Sequence, residues 1–154
     1  MTSMSKGANM PVPATSLTVT VTWQSSPGAP DVDVSALVLG ADGKVGSDAD
    51  MVFYNQPAHA TGAVAHLGKS PGRDSVRVDL AALPGTVESV VVAASADGGS
   101  FGSVPGLALT VTDPAGAQLA RFDITDAASV TAFAFGELYR RAGAWKFRAV
   151  GQGW

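Results

Sequence analysis

The chain has 154 residues, a length that fits one domain with a substantial core. Hydrophobic residues make up 46% of it and charged residues 15%, a balance typical of globular proteins and not of disordered ones. The net charge of −3 argues against a nucleic-acid-binding protein, which needs a basic face. Because the chain has no cysteine, disulfides and thiolate zinc sites are excluded, and the composition fits a reducing cytoplasm.

Residues 1–14 are predicted to be an irregular lead-in. They contain one lysine and no apolar central segment, so they do not have the pattern of a signal peptide. The sequence has no run of about 18 apolar residues, so neither a transmembrane helix nor direct membrane insertion is expected. Residues 15–154 are predicted to form a single domain.

Strand-type periodicity dominates this domain. Residues 16–23 alternate leucine, valine and tryptophan with threonine, the pattern of a half-buried strand. The valine run within residues 86–96 predicts a central strand that is covered on both faces. Hairpin turns are predicted at residues 113–116 and 141–143, and residues 68–73 are predicted to be a loop. Nine or ten short strands joined by glycine and proline turns predict an all-β fold, an antiparallel β-sandwich.

Residues 31–56 contain the densest group of acidic side chains in the chain. Asp42 and Gly43 predict a two-residue type I′ hairpin turn, since both central positions of that turn need φ > 0. The resulting register brings four carboxylates onto one face, those of Asp31, Asp33, Asp48 and Asp50. The predicted opposing pairs are Asp31 and Tyr54, Asp33 and Val52, Ser35 and Asp50, and Leu37 and Asp48.

Two interpretations of these four carboxylates are open. Like charges ~5 Å apart repel by roughly 3 kcal/mol at an effective dielectric near 20. A divalent cation would turn this repulsion into attraction, and oxygen-only ligands favour calcium over zinc or copper. The alternative is a solvated outer face whose screened charges oppose edge-to-edge aggregation. An EF-hand is excluded, because Ala36 occupies the position of its turn glycine.

The last part of the chain suggests a family. Residues 135–153, FGELYRRAGAWKFRAVGQG, resemble the C-terminal signature of the bacterial TerD-type tellurium-resistance and stress-response proteins. Matching motifs follow the family's order through the chain: SKGAN (5–9), DVDVSALVL (31–39), SDADMVFYNQ (47–56), SVRVDL (75–80) and LARFDI (119–124). The resemblance implies a calcium-binding β-sandwich, a non-catalytic cytoplasmic module of a tellurite or chemical-stress resistance system. It also implies other stress-response proteins as partners, and it leaves the oligomeric state open.

The family's acidic positions can be transferred to this sequence motif by motif. They fall on Asp31, Asp33, Asp48, Asp50 and Asn55. One segment departs from the family, since its long acidic loop is replaced here by LGKSPGRD (67–74), which has two cations and keeps only Asp74 as a carboxylate. Because calcium affinity follows ligand charge, we expect at most one weak calcium site, with Asp74 as a further candidate ligand. The alternative function is a metal-free protein–protein interaction or scaffold module built on the same sandwich.

No catalytic constellation is apparent in the sequence. There is no G-x-S-x-G elbow, and neither histidine has a serine and a carboxylate at a recognisable spacing, so the chain is predicted not to be an enzyme. His59 and His66 lack a third zinc-type ligand and are expected at the surface or at an edge. The aromatic residues of the last hairpin are expected in the core, with Trp145 or Trp154 as an alternative exposed contact for a partner.

Overall fold

The structure, a computed structural model, describes residues 2–127 and 129–153. In this part of the chain 12 strands form two sheets of six strands each. In chain order the strands are β1 (Thr2–Met4), β2 (Asn9–Pro11), β3 (Ser16–Thr22), β4 (Asp31–Leu39), β5 (Met51–Val52), β6 (Val64–Ser70), β7 (Arg73–Asp79), β8 (Ser89–Asp97), β9 (Ala108–Thr112), β10 (Gln118–Asp123), β11 (Ala132–Arg141) and β12 (Ala144–Gly153). Three short 3₁₀ helices span Asp48–Asp50, Leu80–Ala82 and Phe101–Ser103.

The two sheets have similar topologies. Sheet A has the order β1-β10-β9-β3-β7-β6, and sheet B has the order β2-β12-β11-β8-β4-β5. Neighbouring strands are antiparallel, apart from the parallel pair of β1 and β10. The predicted antiparallel β-sandwich is therefore confirmed, with 12 described strands in place of nine or ten.

The core lies between the sheets and follows from residue alternation along the strands. Strand β3 directs Leu17, Val19 and Val21 inward, while its threonines alternate to the outer face. Sheet B contributes Phe135 and Phe147, both fully buried. Burying one such side chain contributes about 1.5–3 kcal/mol to the hydrophobic stabilisation of the folded state. The predicted central strand is β8, which lies between β11 and β4.

The prediction that residues 1–14 are irregular is wrong for two short segments. Thr2–Met4 pairs with β10 at one edge of sheet A, and Asn9–Pro11 pairs with β12 at the matching edge of sheet B. Both strands are only three residues long, too short for the alternation of polar and apolar residues to reveal them.

The acidic hairpin forms, but its predicted register is wrong. Leu37 pairs with Met51 and not with Asp48, and β5 is only two residues long. The turn closes at Gly40 and Lys44, where the Gly40 amide donates to the Lys44 carbonyl at 3.3 Å. Residues 45–50 then leave the strand. The Ser47 hydroxyl caps the 3₁₀ helix by accepting from the Ala49 amide, an example of serine competing with strand pairing.

The predicted loop at residues 68–73 is instead the end of a hairpin. Ser70 pairs with Arg73, so the turn consists of Pro71 and Gly72 alone. Proline presets φ for the first central position, and Gly72 adopts φ +73° at the second. The turn therefore accounts for the glycine and proline, while the flanking residues remain free to pair as strands.

Candidate functional site

The acidic strand β4 has one free edge. On one side it pairs with β8 along its whole length, from Asp31 to Leu39. On the other side β5 pairs only with Ala36 and Leu37, because it is two residues long. The first half of β4 therefore presents its backbone toward β6 and β7 of sheet A.

Asp74 of β7 closes part of this free edge. Its Oδ2 accepts a hydrogen bond of 2.8 Å from the amide of Val34 in β4. Its Oδ1 accepts from the Ser75 amide at 3.1 Å and lies 2.6 Å from Nε2 of His66. Asp74 is 1% exposed, so these contacts supply the polar partners that a buried carboxylate requires. The Asp74 carboxylate therefore links β7 of sheet A to β4 of sheet B.

Lys69 of β6 lies against the two carboxylates at the start of β4. Its ammonium donates to Oδ1 of Asp33 at 2.7 Å and also to Oδ2 of Asp31. Partial burial by itself would lower the pKa of Lys69, but the hydrogen bonds to Asp31 and Asp33 outweigh it and the pKa is raised. The ammonium remains charged and offsets the repulsion between the two carboxylates.

Asp50 lies in a different place, beyond the turn that follows β4. Its Oδ1 is 2.8 Å from Nε2 of the buried His59, and its Oδ2 accepts from the Gly46 amide at 2.9 Å. The hydrogen bond from His59 lowers the pKa of Asp50. Nδ1 of His59 lies 2.8 Å from the Thr61 hydroxyl and accepts from the Thr61 amide. Neither histidine is at the surface, since His59 is buried and the His66 side chain is 4% exposed, but His66 does lie at an edge, on the outermost strand β6 of sheet A.

The structure does not gather the predicted calcium ligands at one point. Asp31 and Asp33 contact Lys69, Asp74 is engaged by donors on both oxygens, and Asp50 belongs to the His59 group. Asp48 and Asn55 are exposed. Across residues 2–127 and 129–153, no three His, Asp or Glu side chains are close enough to hold a metal. Since calcium needs six to eight oxygens, these residues do not fit a calcium centre.

An apolar groove lies on the outer face of sheet B, beside the acidic end of β4. It encloses about 190 Å³. Tyr54 and Met51 form its exposed rim, with 60% and 37% of their surface exposed, and small side chains of β8 form its floor. The lining residues are Asp33, Val34, Ser35, Leu37, Met51, Phe53, Tyr54, Ala93, Ala94, Ser95 and Ala132.

The aromatic residues of the last hairpin are largely internal. Phe135 and Phe147 are fully buried, and Trp145 is partly buried with the Arg140 guanidinium 4.5 Å from its ring centroid. Arg140 also donates to three backbone carbonyls, those of Leu83, Pro84 and Val87. These contacts give Trp145 a structural role, and Trp154 lies outside the described residues.

Comparison with known proteins identifies the family. The sequence model of the TerD domain matches residues 1–154. The chain belongs to the TerD family. It is 41% identical to tellurium resistance protein TerD of an Alcaligenes species over 173 aligned positions, which cover 99% of this chain and 90% of that protein. It is 35% identical to general stress protein 16U of Bacillus subtilis, over 80% of this chain and 71% of that protein.

Solved structures support the same fold. A TerD homologue from Streptomyces coelicolor superposes with a TM-score of 0.72 and covers 92% of this chain and 90% of its own. The sequence identity is 21%, so this likeness concerns the fold alone. No helix in the described part of this TerD-family chain has the length and apolar character needed to cross a membrane.

Proposed function

We propose that this TerD-family chain is a non-catalytic protein-interaction module of a bacterial tellurium-resistance and stress-response system, acting in the cytoplasm. The relatives named above are a tellurium resistance protein and a general stress protein. The observation that carries the interaction role is the apolar groove beside β4.

The size of the groove favours a partner side chain over a small-molecule substrate. Sites for drug-sized ligands enclose about 300–1,000 Å³. The groove has a volume of about 190 Å³, which is below this range. A single large apolar side chain is the occupant that this space accommodates. Its rim is formed by Tyr54 and Met51, and both residue types are enriched at protein interfaces.

The charge at one end of the groove indicates what lies next to that side chain. Asp33 lines the groove, and Asp97 of β8 is the register partner of Asp31 at the same end. Lys69 offsets part of this negative charge. The partner segment therefore combines an apolar side chain with a nearby lysine or arginine, because opposite charges orient and accelerate docking.

Variants of the groove test the proposal in cells. The Ser95→Trp variant fills the groove from an exposed position, and Tyr54→Ala removes part of its rim. Gln118→Trp is the matched control, since it places the same side chain at an exposed strand position of sheet A. Each variant is expressed in a bacterium whose own TerD protein has been deleted, and survival in tellurite is measured.

We expect both groove variants to lose resistance while Gln118→Trp keeps it. Thermal unfolding of each purified variant separates loss of the groove from loss of the fold. If both groove variants are folded and fully resistant, the groove has no part in the function.

The non-catalytic role has its own test. Asp50, His59 and Thr61 follow the contact order of an acid, a base and a hydroxyl nucleophile. However, the Thr61 hydroxyl accepts from the Ala63 amide and Nδ1 of His59 accepts from the Thr61 amide, so both atoms serve the local turn. We expect no turnover of activated esters. Turnover that is lost in Thr61→Val would contradict this role.

A further inference from the structure

A β-bulge determines where the Lys69 ammonium points. In the pairing of β6 with β7, His66 lies opposite Val76 and Lys69 lies opposite Asp74. Three residue steps on β6 therefore match two on β7, so β6 contains one extra residue at Leu67 and Gly68. Gly68 adopts φ +96°, a conformation that side-chain-bearing residues rarely take.

The extra residue changes the face on which Lys69 lies. Residues that pair across two strands share a face of the sheet. Asp74 is directed into the sandwich, where it accepts from the Val34 amide. Lys69 shares that face, whereas without the bulge the alternation would place it on the outer face beside Arg73. The backbone is thus built to direct this lysine at β4.

The acidic end of β4 has carboxylates but no basic residue on the same strand to balance them. Asp31 and Asp33 lie on one face, two residues apart, and Asp97 is the register partner of Asp31. The Lys69 ammonium contacts both Asp31 and Asp33, and the Lys69 side chain is 29% exposed. A single ammonium therefore bridges the two carboxylates.

We propose that Lys69 is a built-in counter-ion that takes the place of a divalent metal ion at Asp31 and Asp33. The acidic edge of β4 then stays packed against sheet A without calcium. Removing the ammonium leaves the carboxylates of Asp31 and Asp33 without their cation, and an added divalent cation then relieves the repulsion between them. This proposal is tested by calcium-dependent unfolding of Lys69 variants and the proposed function by resistance of groove variants that keep Lys69, so the two can fail separately.

Thermal unfolding with and without calcium chloride tests the proposal. The variants are Lys69→Ala, which removes the ammonium, and Lys69→Arg, which keeps a positive charge. Lys44→Ala is the matched control, because it removes the same charge from an exposed position. A sodium chloride series at equal ionic strength separates calcium binding from general screening.

We expect the midpoint of the unmodified protein, of Lys69→Arg and of Lys44→Ala to be unchanged by millimolar calcium. We expect the Lys69→Ala midpoint to fall by about 3–6 °C and to recover with calcium more than with sodium. The recovery is expected to disappear when Asp31→Asn and Asp33→Asn are added.

Three results would each overturn the proposal. The first is a calcium-specific rise in the midpoint of the unmodified protein, since the ammonium would then leave room for the metal. The second is a Lys69→Ala midpoint that neither falls nor responds to calcium. The third is a Lys69→Ala midpoint that falls without calcium recovery, which would make Lys69 an ordinary ion-pair partner.

Discussion

Oδ2 of Asp74 lies 2.8 Å from the amide nitrogen of Val34, so a carboxylate of sheet A completes the backbone hydrogen bonding of a strand in sheet B. The free edge of β4 would otherwise present an unpaired buried amide at this position. His66 contacts the other oxygen of the same carboxylate, which leaves neither oxygen of Asp74 unpartnered.

Asp74→Ala is expected to lower the free energy of unfolding by about 3 kcal/mol, because it leaves the Val34 amide and His66 without their partner. Urea denaturation followed by circular dichroism measures this loss. The control is Asp123→Ala, which removes an exposed carboxylate paired with Arg121 and should cost under ~1 kcal/mol. Equal losses in the two variants would show that the link between the sheets contributes nothing specific.

The contact between Asp50 and His59 predicts that the stability of the fold depends on pH in the acid range. The hydrogen bond from His59 lowers the pKa of Asp50 in the folded state. The stabilisation is therefore fully present above the ordinary aspartate pKa of about 3.9, and it is lost as the pH falls through the lower folded value. In Asp50→Asn the unfolding midpoint should decline less steeply over this range. Midpoints measured in steps from neutral to acid pH would reveal the difference, and parallel curves would contradict it.

Gly136 is predicted to tolerate no side chain. A Cβ atom built on it would lie 2.4 Å from Cζ of the buried Phe147 and 3.1 Å from the Arg148 carbonyl. We expect Gly136→Ala to lower the free energy of unfolding by about 1–3 kcal/mol through overpacking. Gly85→Ala is the control, since no atom lies within 4 Å of its Cβ and the change should be neutral or slightly stabilising. Chemical denaturation measures the free energy of unfolding of both variants, and equal values would contradict the prediction.

The bulge at Gly68 predicts a coupling between two substitutions. Gly68→Ala meets no neighbouring atom, so its cost comes from the φ of +96° and from the displaced Lys69. We expect a loss of about 1–2 kcal/mol in the free energy of unfolding. In combination with Lys69→Ala the losses should be less than additive, because both changes remove the same contact with β4. Strict additivity in the double-mutant cycle would mean that the bulge does not position Lys69.

Much of the fold could be predicted, because the alternation of apolar and polar residues along a strand shows which side chains are buried. In β3 every second residue is apolar, and those residues are the ones that face the core. The valine run of β8 likewise matched a central position in sheet B. The register of the acidic hairpin was not predictable, since it depends on how many residues the turn consumes. Residues 48–50 form a 3₁₀ helix capped by Ser47 and so leave the strand, which the alternation of polar and apolar residues does not predict.

The sequence showed which acidic residues lie near β4, but it did not show which groups they contact. Asp31 and Asp33 share Lys69 as their partner, whereas Asp74 is held separately by the Val34 amide and His66. From the sequence, Lys69 is a charge that weakens a metal site, because composition alone does not show that a one-residue bulge directs it at Asp31 and Asp33. Gly68 was the available signal, since an isolated glycine within a strand often marks such a bulge.

The contact between Lys69 and β4 has a consequence for signalling. A metal ion leaves its site when its free concentration falls, whereas a side chain on the same polypeptide has an effective concentration fixed by the fold. Under the proposal, a chelator does not remove the positive charge at Asp31 and Asp33, and a rise in calcium does not add a second one. The proposed role of Lys69 thus predicts an acidic edge whose conformation is independent of the cellular calcium level.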